Sequence, residues 1–170
     1  MKTLLTIIVL SFILTINSFS QGFKVPPPIE NEFFNASVGS WVSDEYEVMG
    51  MKCIDETTFN WALNNQFLEM KSVSNTGTDN KFQTIGYMGI DKDGNMKGWF
   101  FDIMGMEGVT EFTGKVNGMT ATIEGGNKYM KSKGTMTIEG GVMTQTFSFT
   151  YQDEEGNEQT MELTTTSRKQ

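Results

Sequence analysis

The sequence predicts an all-β protein: one antiparallel up-and-down β-barrel of about ten strands, preceded by a single short helix. Three observations predict it. Apolar and polar residues alternate with period two through the second half of the chain. Turn signals recur about every ten residues from Val38 onward. Almost no helical sequence is available to cover the apolar face of an open sheet.

The alternation assigns the faces. After Gly141, Met143, Phe147, Phe149 and Tyr151 share one side, and Val142, Thr144, Thr146, Ser148 and Thr150 share the other. Met119, Ala121 and Ile123 oppose Thr120, Thr122 and Glu124 in the same way, and Met130, Gly134, Met136 and Ile138 oppose Lys131, Lys133, Thr135, Thr137 and Glu139. Met161 and Leu163 stand against Thr160, Glu162 and Thr164. A sheet with one greasy face buries it and loses its exposed edges together by closing on itself. Two packed sheets would give the same strand pattern, so a sandwich is the competing architecture.

The turns are written in turn chemistry. Asn75 to Asn80 reads as a polar loop, Asp91 to Asn95 as a tight turn, and Asn117-Gly118 as a type I′ hairpin. Gly125-Gly126, Gly140-Gly141 and Asp153 to Asn157 supply three more turn signals. Upstream, Phe23 to Pro28 ends in three prolines and reads as an extended lead-in. Ile29 to Ser37 is the expected helix, with Phe33 and Phe34 available to plug apolar space.

Residues 1–20 have the pattern of a secretory signal peptide: Lys2, an apolar stretch from Leu4 to Ile16, and Ser18-Phe19-Ser20 before the expected cleavage site. The apolar stretch is shorter than the roughly 20 residues of a spanning helix. The expected product is a secreted or periplasmic protein without a stable membrane anchor, with 21–37 as lead-in and helix and 38–170 as one barrel domain. One cysteine, Cys53, cannot form an internal disulfide, so the fold must hold by its core. Without the leader the chain carries 12 basic and 21 acidic residues, a net charge of −9. Such a charge repels phosphate backbones, and nucleic acid is not an expected partner. A monomer or weak dimer is expected.

Gly39-Ser40-Trp41 at the head of the first strand and Arg168 at the end of the last resemble the lipocalin and fatty-acid-binding-protein superfamily. In that superfamily a Gly-x-Trp packs beneath a basic residue at the closed barrel end, and the resemblance implies a guanidinium stacked on Trp41. Arg168 has the opposite parity to Met161 and Leu163, so it would reach Trp41 from outside, from the barrel end, or after a bulge. The chain also resembles an uncharacterised exported bacterial domain-of-unknown-function family with lipocalin-like barrels. The carrying residues are Val38-Gly39-Ser40-Trp41, Trp61 with Gln66-Phe67-Leu68, Gly86-Tyr87-Met88-Gly89-Ile90-Asp91, and Trp99 with Asp102 and Met104-Gly105. That resemblance implies a fold and no activity.

The chain has no histidine, which removes serine-histidine and cysteine-histidine nucleophiles, histidine-ligated haem and the commonest zinc sites. Asp91, Asp93 and Asn95 begin like a calcium loop, but Gly94 is misplaced and the terminal glutamate is missing, so an acidic turn explains them better. No metal or cofactor is expected. Twelve methionines follow Met1, and such soft side chains suit a flat or flexible apolar guest as well as ordinary core filling. The expected site is a lumen lined by Met119, Met136, Met143, Phe147, Phe149, Tyr151, Phe100 and Asp102, holding a small hydrophobic ligand without catalysis. Asp102 either points into that lumen or, as a strand-end aspartate, faces water or caps the following glycine-rich turn. Two alternatives stand beside this reading: an enzyme pairing Asp102 with Tyr87 or Tyr151, and a packed barrel that binds a partner through its surface.

Overall fold

A computed structural model describes residues 24–75 and 81–170. The expected leader and positions 76–80 of the expected polar loop lie outside the described residues. The elements are α1 (Glu32–Ser37), β1 (Gly39–Ser43), β2 (Tyr46–Val48), β3 (Met51–Ala62), β4 (Phe67–Asn75), β5 (Lys81–Ile90), β6 (Asn95–Asp102), β7 (Thr110–Asn117), β8 (Thr120–Gly126), β9 (Met130–Glu139), β10 (Val142–Gln152) and β11 (Glu158–Lys169). A single 3-10 turn, Gly105–Gly108, joins β6 to β7.

Each strand from β3 to β11 pairs antiparallel with its sequence neighbour, and β1 pairs with both β11 and β3, so the sheet closes. β2 continues β1 along the same partner. Val42 opposes Glu56, but Tyr46 opposes Cys53, so one extra residue has entered the β1–β2 side of the ladder. That is a β-bulge, and it reverses which residues face inward. Counting β1 and β2 as one bulged strand gives a closed ten-stranded barrel with one short α-helix among the described residues.

The expected faces hold. Met143, Ile138, Met136, Ile123, Ala121, Val116, Phe112, Met96, Ile90, Met88, Leu68, Phe59 and Trp41 form one buried core inside the barrel. Connections β3–β4, β5–β6, β7–β8 and β9–β10 gather at one end with α1, and this end is closed. Asn31 caps α1 by accepting the Phe34 amide, and Phe33 and Phe34 are fully buried as a plug. The helix is shorter than the expected Ile29–Ser37 because Ile29 is held outside it, its N–H donating to the Asn65 carbonyl. Gln66 Nε2 donates to the carbonyls of Pro26 and Pro27, tying the proline lead-in to the β3–β4 turn.

Trp41 is 1 % exposed, and its Nε1–H donates to the Ser37 carbonyl at 2.7 Å. The cation above its ring is Lys169, with Nζ 5.5 Å from the centroid, and not the expected Arg168. Parity decides this: Lys169 is directly opposite Trp41 and shares its face, while Arg168 points out and reaches Asp44 at 3.3 Å. Lys169 Nζ also donates to the Ala36 carbonyl, satisfying one of the free carbonyls at the end of α1.

Two turn assignments also change. At Gly118-Met119 only the glycine has positive φ (57°), the sign pattern of a type II′ turn, whereas Gly140 and Gly141 (57° and 77°) carry the type I′ pair. Gly125 and Gly126 are not a turn but the end of β8, paired with β7 and β9. Asn127 makes the turn instead, its side chain accepting the amides of Tyr129 and Met130.

Lys169→Ala removes a ring contact and a helix cap, and should lower unfolding free energy by about 1 kcal/mol. Arg168→Ala breaks only an exposed ion pair and should cost about 0–0.5 kcal/mol. Urea denaturation of the two variants checks the order.

Candidate functional site

The inside of the barrel divides into two halves. Near α1 most inward side chains are buried, with Trp61 and Met119 partly so. Toward the opposite end, Phe100, Phe147, Phe149, Tyr151, Met130, Met161 and Leu163 also face inward but are only half-buried. Aromatic and thioether surface inside the barrel therefore meets solvent at this open end.

The glycines on the inner face belong to the same arrangement. Gly86 lies opposite Phe100 and Gly134 opposite Phe147, and a Cβ on either would come 2.3 Å or 2.6 Å from the facing ring. The rings thus lie across strands that carry no side chain at that point. Phe147 and Phe149 stack at 5.9 Å between centroids, and Phe100 stacks on Phe112 at 4.6 Å.

Of the residues expected to line the lumen, Met136 and Met143 belong to the buried core that floors it. Met119 packs against that core at the closed end. Phe100, Phe147, Phe149 and Tyr151 lie higher, on the half-open wall. Asp102 is inward by register, opposite Thr84 at the rim. Its Oδ1 accepts the Met104 amide at 2.8 Å, and a Cβ on Gly108 would collide with the carboxylate. The carboxylate thus caps the start of the glycine-rich turn. Tyr87 cannot partner it: this tyrosine faces outward beside Trp99, and its hydroxyl donates to Glu69 Oε1 at 2.7 Å. Lys71, then the Tyr87 hydroxyl, holds the Glu69 carboxyl below the usual carboxylate range.

A polar cluster at the mouth was not expected from the sequence. Tyr46 donates to the Asp55 carboxylate, with both oxygens at 3.0 Å, and Ser43 Oγ accepts the Asp55 amide at 2.7 Å. Burial, then the Asp55 charge, pushes the Tyr46 phenol well above its ordinary value. Cys53, directly opposite Tyr46, is buried, and its thiol is raised for the same two reasons. An apolar site with one anchored carboxylate favours a guest carrying a hydrogen-bond donor.

The rim is apolar along one side. Ile103, Met104 and Met106 of the β6–β7 connection are exposed, as are Phe82, Met51 and Met49. Met49 has positive φ (50°) at the tip of the β2–β3 hairpin, a costly conformation for a non-glycine residue.

Asp91 does not build a cation loop. It accepts the amides of Asp93 and Asn95 and the Asn95 side chain, which hold its carboxyl below the usual range, Asn95 foremost. Asp153 holds the amides of Glu155 and Asn157 in the same way. Among the described residues no three acidic or cysteine side chains gather as metal ligands. No family model matches the chain, and no curated protein matches its sequence.

Because the folded Tyr46 phenol ionises later than a free one, its contribution to stability is complete below the ordinary value of 10.0 and is lost as pH rises beyond it. Absorbance titration should show two of the four tyrosines ionising late, Tyr87 through its bond to Glu69 and, later still, Tyr46. Tyr46→Phe should remove the later phase and flatten the fall in melting temperature above about pH 10.

Proposed function

We propose that this protein is exported and holds a small, largely apolar molecule in the open half of its barrel, without transforming it. The observation that carries the reading is the half-exposure of Phe147, Phe149, Tyr151, Phe100, Met130 and Met161, all of which face inward. Leaving this much aromatic and thioether surface to water inside a barrel is unfavourable, and a guest would remove it. Methionine beside aromatic rings accommodates guests of several shapes. The Tyr46–Asp55 pair supplies a fixed acceptor for the guest's polar end, and the apolar side of the rim gives it a path in.

Catalysis finds less support. Asp102 is committed to its turn, and Tyr87 stands on the other side of the wall.

Native mass spectrometry of protein purified from its own host should show a co-purifying mass. In refolded, emptied protein an apolar fluorophore such as N-phenylnaphthylamine should bind and be displaced by a lipid extract of that host. Phe149→Ala and Met161→Ala should each weaken fluorophore binding about 5- to 30-fold, the equivalent of about 1–2 kcal/mol of lost apolar contact. Absence of both the extra mass and fluorophore binding would overturn the reading.

A further inference from the structure

The outer wall of the barrel is not evenly convex. A groove of about 1280 Å³ runs across it from β4 to β11. Its line follows the sheet register: Gly89 opposes Lys97, Lys97 opposes Thr113, Thr113 opposes Glu124, and Glu124 opposes Lys133. Beyond Lys133 the same line passes Ser148 to Glu162 on β11. Two inward glycines form part of its floor. A Cβ on Gly114 would sit 2.2 Å from the Thr122 carbonyl oxygen, and one on Gly134 would sit 2.2 Å from that of Thr146. The backbone at these two points takes a path that only glycine allows, and glycine kinks bend strands. The dent in the wall is thus written into the sequence.

Groove and lumen lie on opposite faces of the same strands, so the chemistry here is independent of any guest inside. At one end stand two rings that face out of the barrel. Phe67 lies over Gly89, and Trp99 is half-buried beside Lys97, whose Nζ is 5.5 Å from the ring centroid. Glu111 stands directly opposite Trp99 and pairs with Lys97. Away from the rings the lining is hydroxyl-bearing, with Thr113, Thr122, Thr135 and Thr146 on four successive strands.

The charges of this lining balance. Lys97, Lys115 and Lys133 are matched by Asp91, Glu124 and Glu162 in a chain that is otherwise strongly acidic. Lys97 is paired with Glu111 at 2.6 Å, Glu124 stands opposite Lys133, and Asp91 is spent on its own turn. A polyanion would meet the net charge of the chain with no free cluster of cations to hold it. An apolar peptide would strip water from the threonine hydroxyls, of which Thr122 bonds the Lys115 carbonyl and Thr146 bonds Thr164. The volume exceeds the roughly 300–1,000 Å³ of a site for one small molecule, and the shape is long and open.

We propose that this outer groove binds a neutral oligosaccharide, with Trp99 as the platform on which one sugar ring stacks and the threonine rows as partners for its hydroxyls. A sugar presents C–H groups of slight positive character on its ring faces, which suit the negative face of an indole. Its equatorial hydroxyls suit a surface that both donates and accepts.

Native gels cast with barley β-glucan, xylan or galactomannan test this, alongside a polyanionic alginate gel and a blank. The wild-type protein should be retarded by at least one neutral polymer. Trp99→Ala, which removes an outward ring and leaves the core intact, should weaken binding by at least tenfold. Thr135→Val, of the same shape without the hydroxyl, should weaken it by about fivefold, the equivalent of about 1 kcal/mol for one hydrogen bond. Unchanged mobility in every neutral gel, retardation by alginate alone, or undiminished retardation of Trp99→Ala would each overturn the proposal. A dimer in sedimentation that Trp99→Ala dissociates would assign the groove to a second copy of the chain and overturn it equally.

Discussion

The barrel depends on one five-residue strand. Among the described residues β1 alone pairs on one side with β11 and on the other with β3, so closure of ten strands rests on the ladder of Gly39–Ser43. A strand this short holds its place only if its side chains are anchored. Trp41 supplies the anchor, with its indole N–H on Ser37, its ring beneath Lys169 and its body in the core. The short helix before it does the rest, because Phe33 and Phe34 fill the closed end that the strands alone would leave open. Unsealing this corner would expose two strand edges and the apolar core behind them together.

Glycine sets the character of the wall. Inward glycines opposite Phe100, Phe112 and Phe147 let those rings lie across neighbouring strands, and at Gly114 and Gly134 a Cβ would meet a neighbouring strand's carbonyl oxygen. One substitution class thus shapes both faces: aromatic cover inside and a dent outside. The two surfaces differ in chemistry because period-two alternation sends methionine and phenylalanine to one side and threonine, lysine and glutamate to the other.

Much of this was legible in the chain. The strands, their faces and the tight turn at Asp91 follow from alternation and turn chemistry, and closure follows from the lack of anything to cover a sheet. What misled was local. Gly125-Gly126 reads as a turn because paired glycines commonly are one, yet here they continue β8 where Phe112 leaves no room for a Cβ. The resemblance points to Arg168 over Trp41 because a basic residue ends the last strand there, whereas register gives the position to the next residue. Tyr46 and Asp55 could not be paired from spacing, since the bulge between Ser43 and Tyr46 shifts which residues face inward.

The sequence by itself determined the class of fold, the number of strands, the apolar interior and the acidic exterior, because each follows from interactions between residues a few positions apart. The tertiary structure alone decided which cation covers Trp41, that Asp102 caps a turn, that Tyr46 meets Asp55 at the mouth, and that Trp99 stands in a groove with threonines from four other strands. These contacts join residues far apart in the chain, and their existence depends on strand register. A shift of one residue in a ladder exchanges inside for outside, and that shift is settled only when the whole sheet closes.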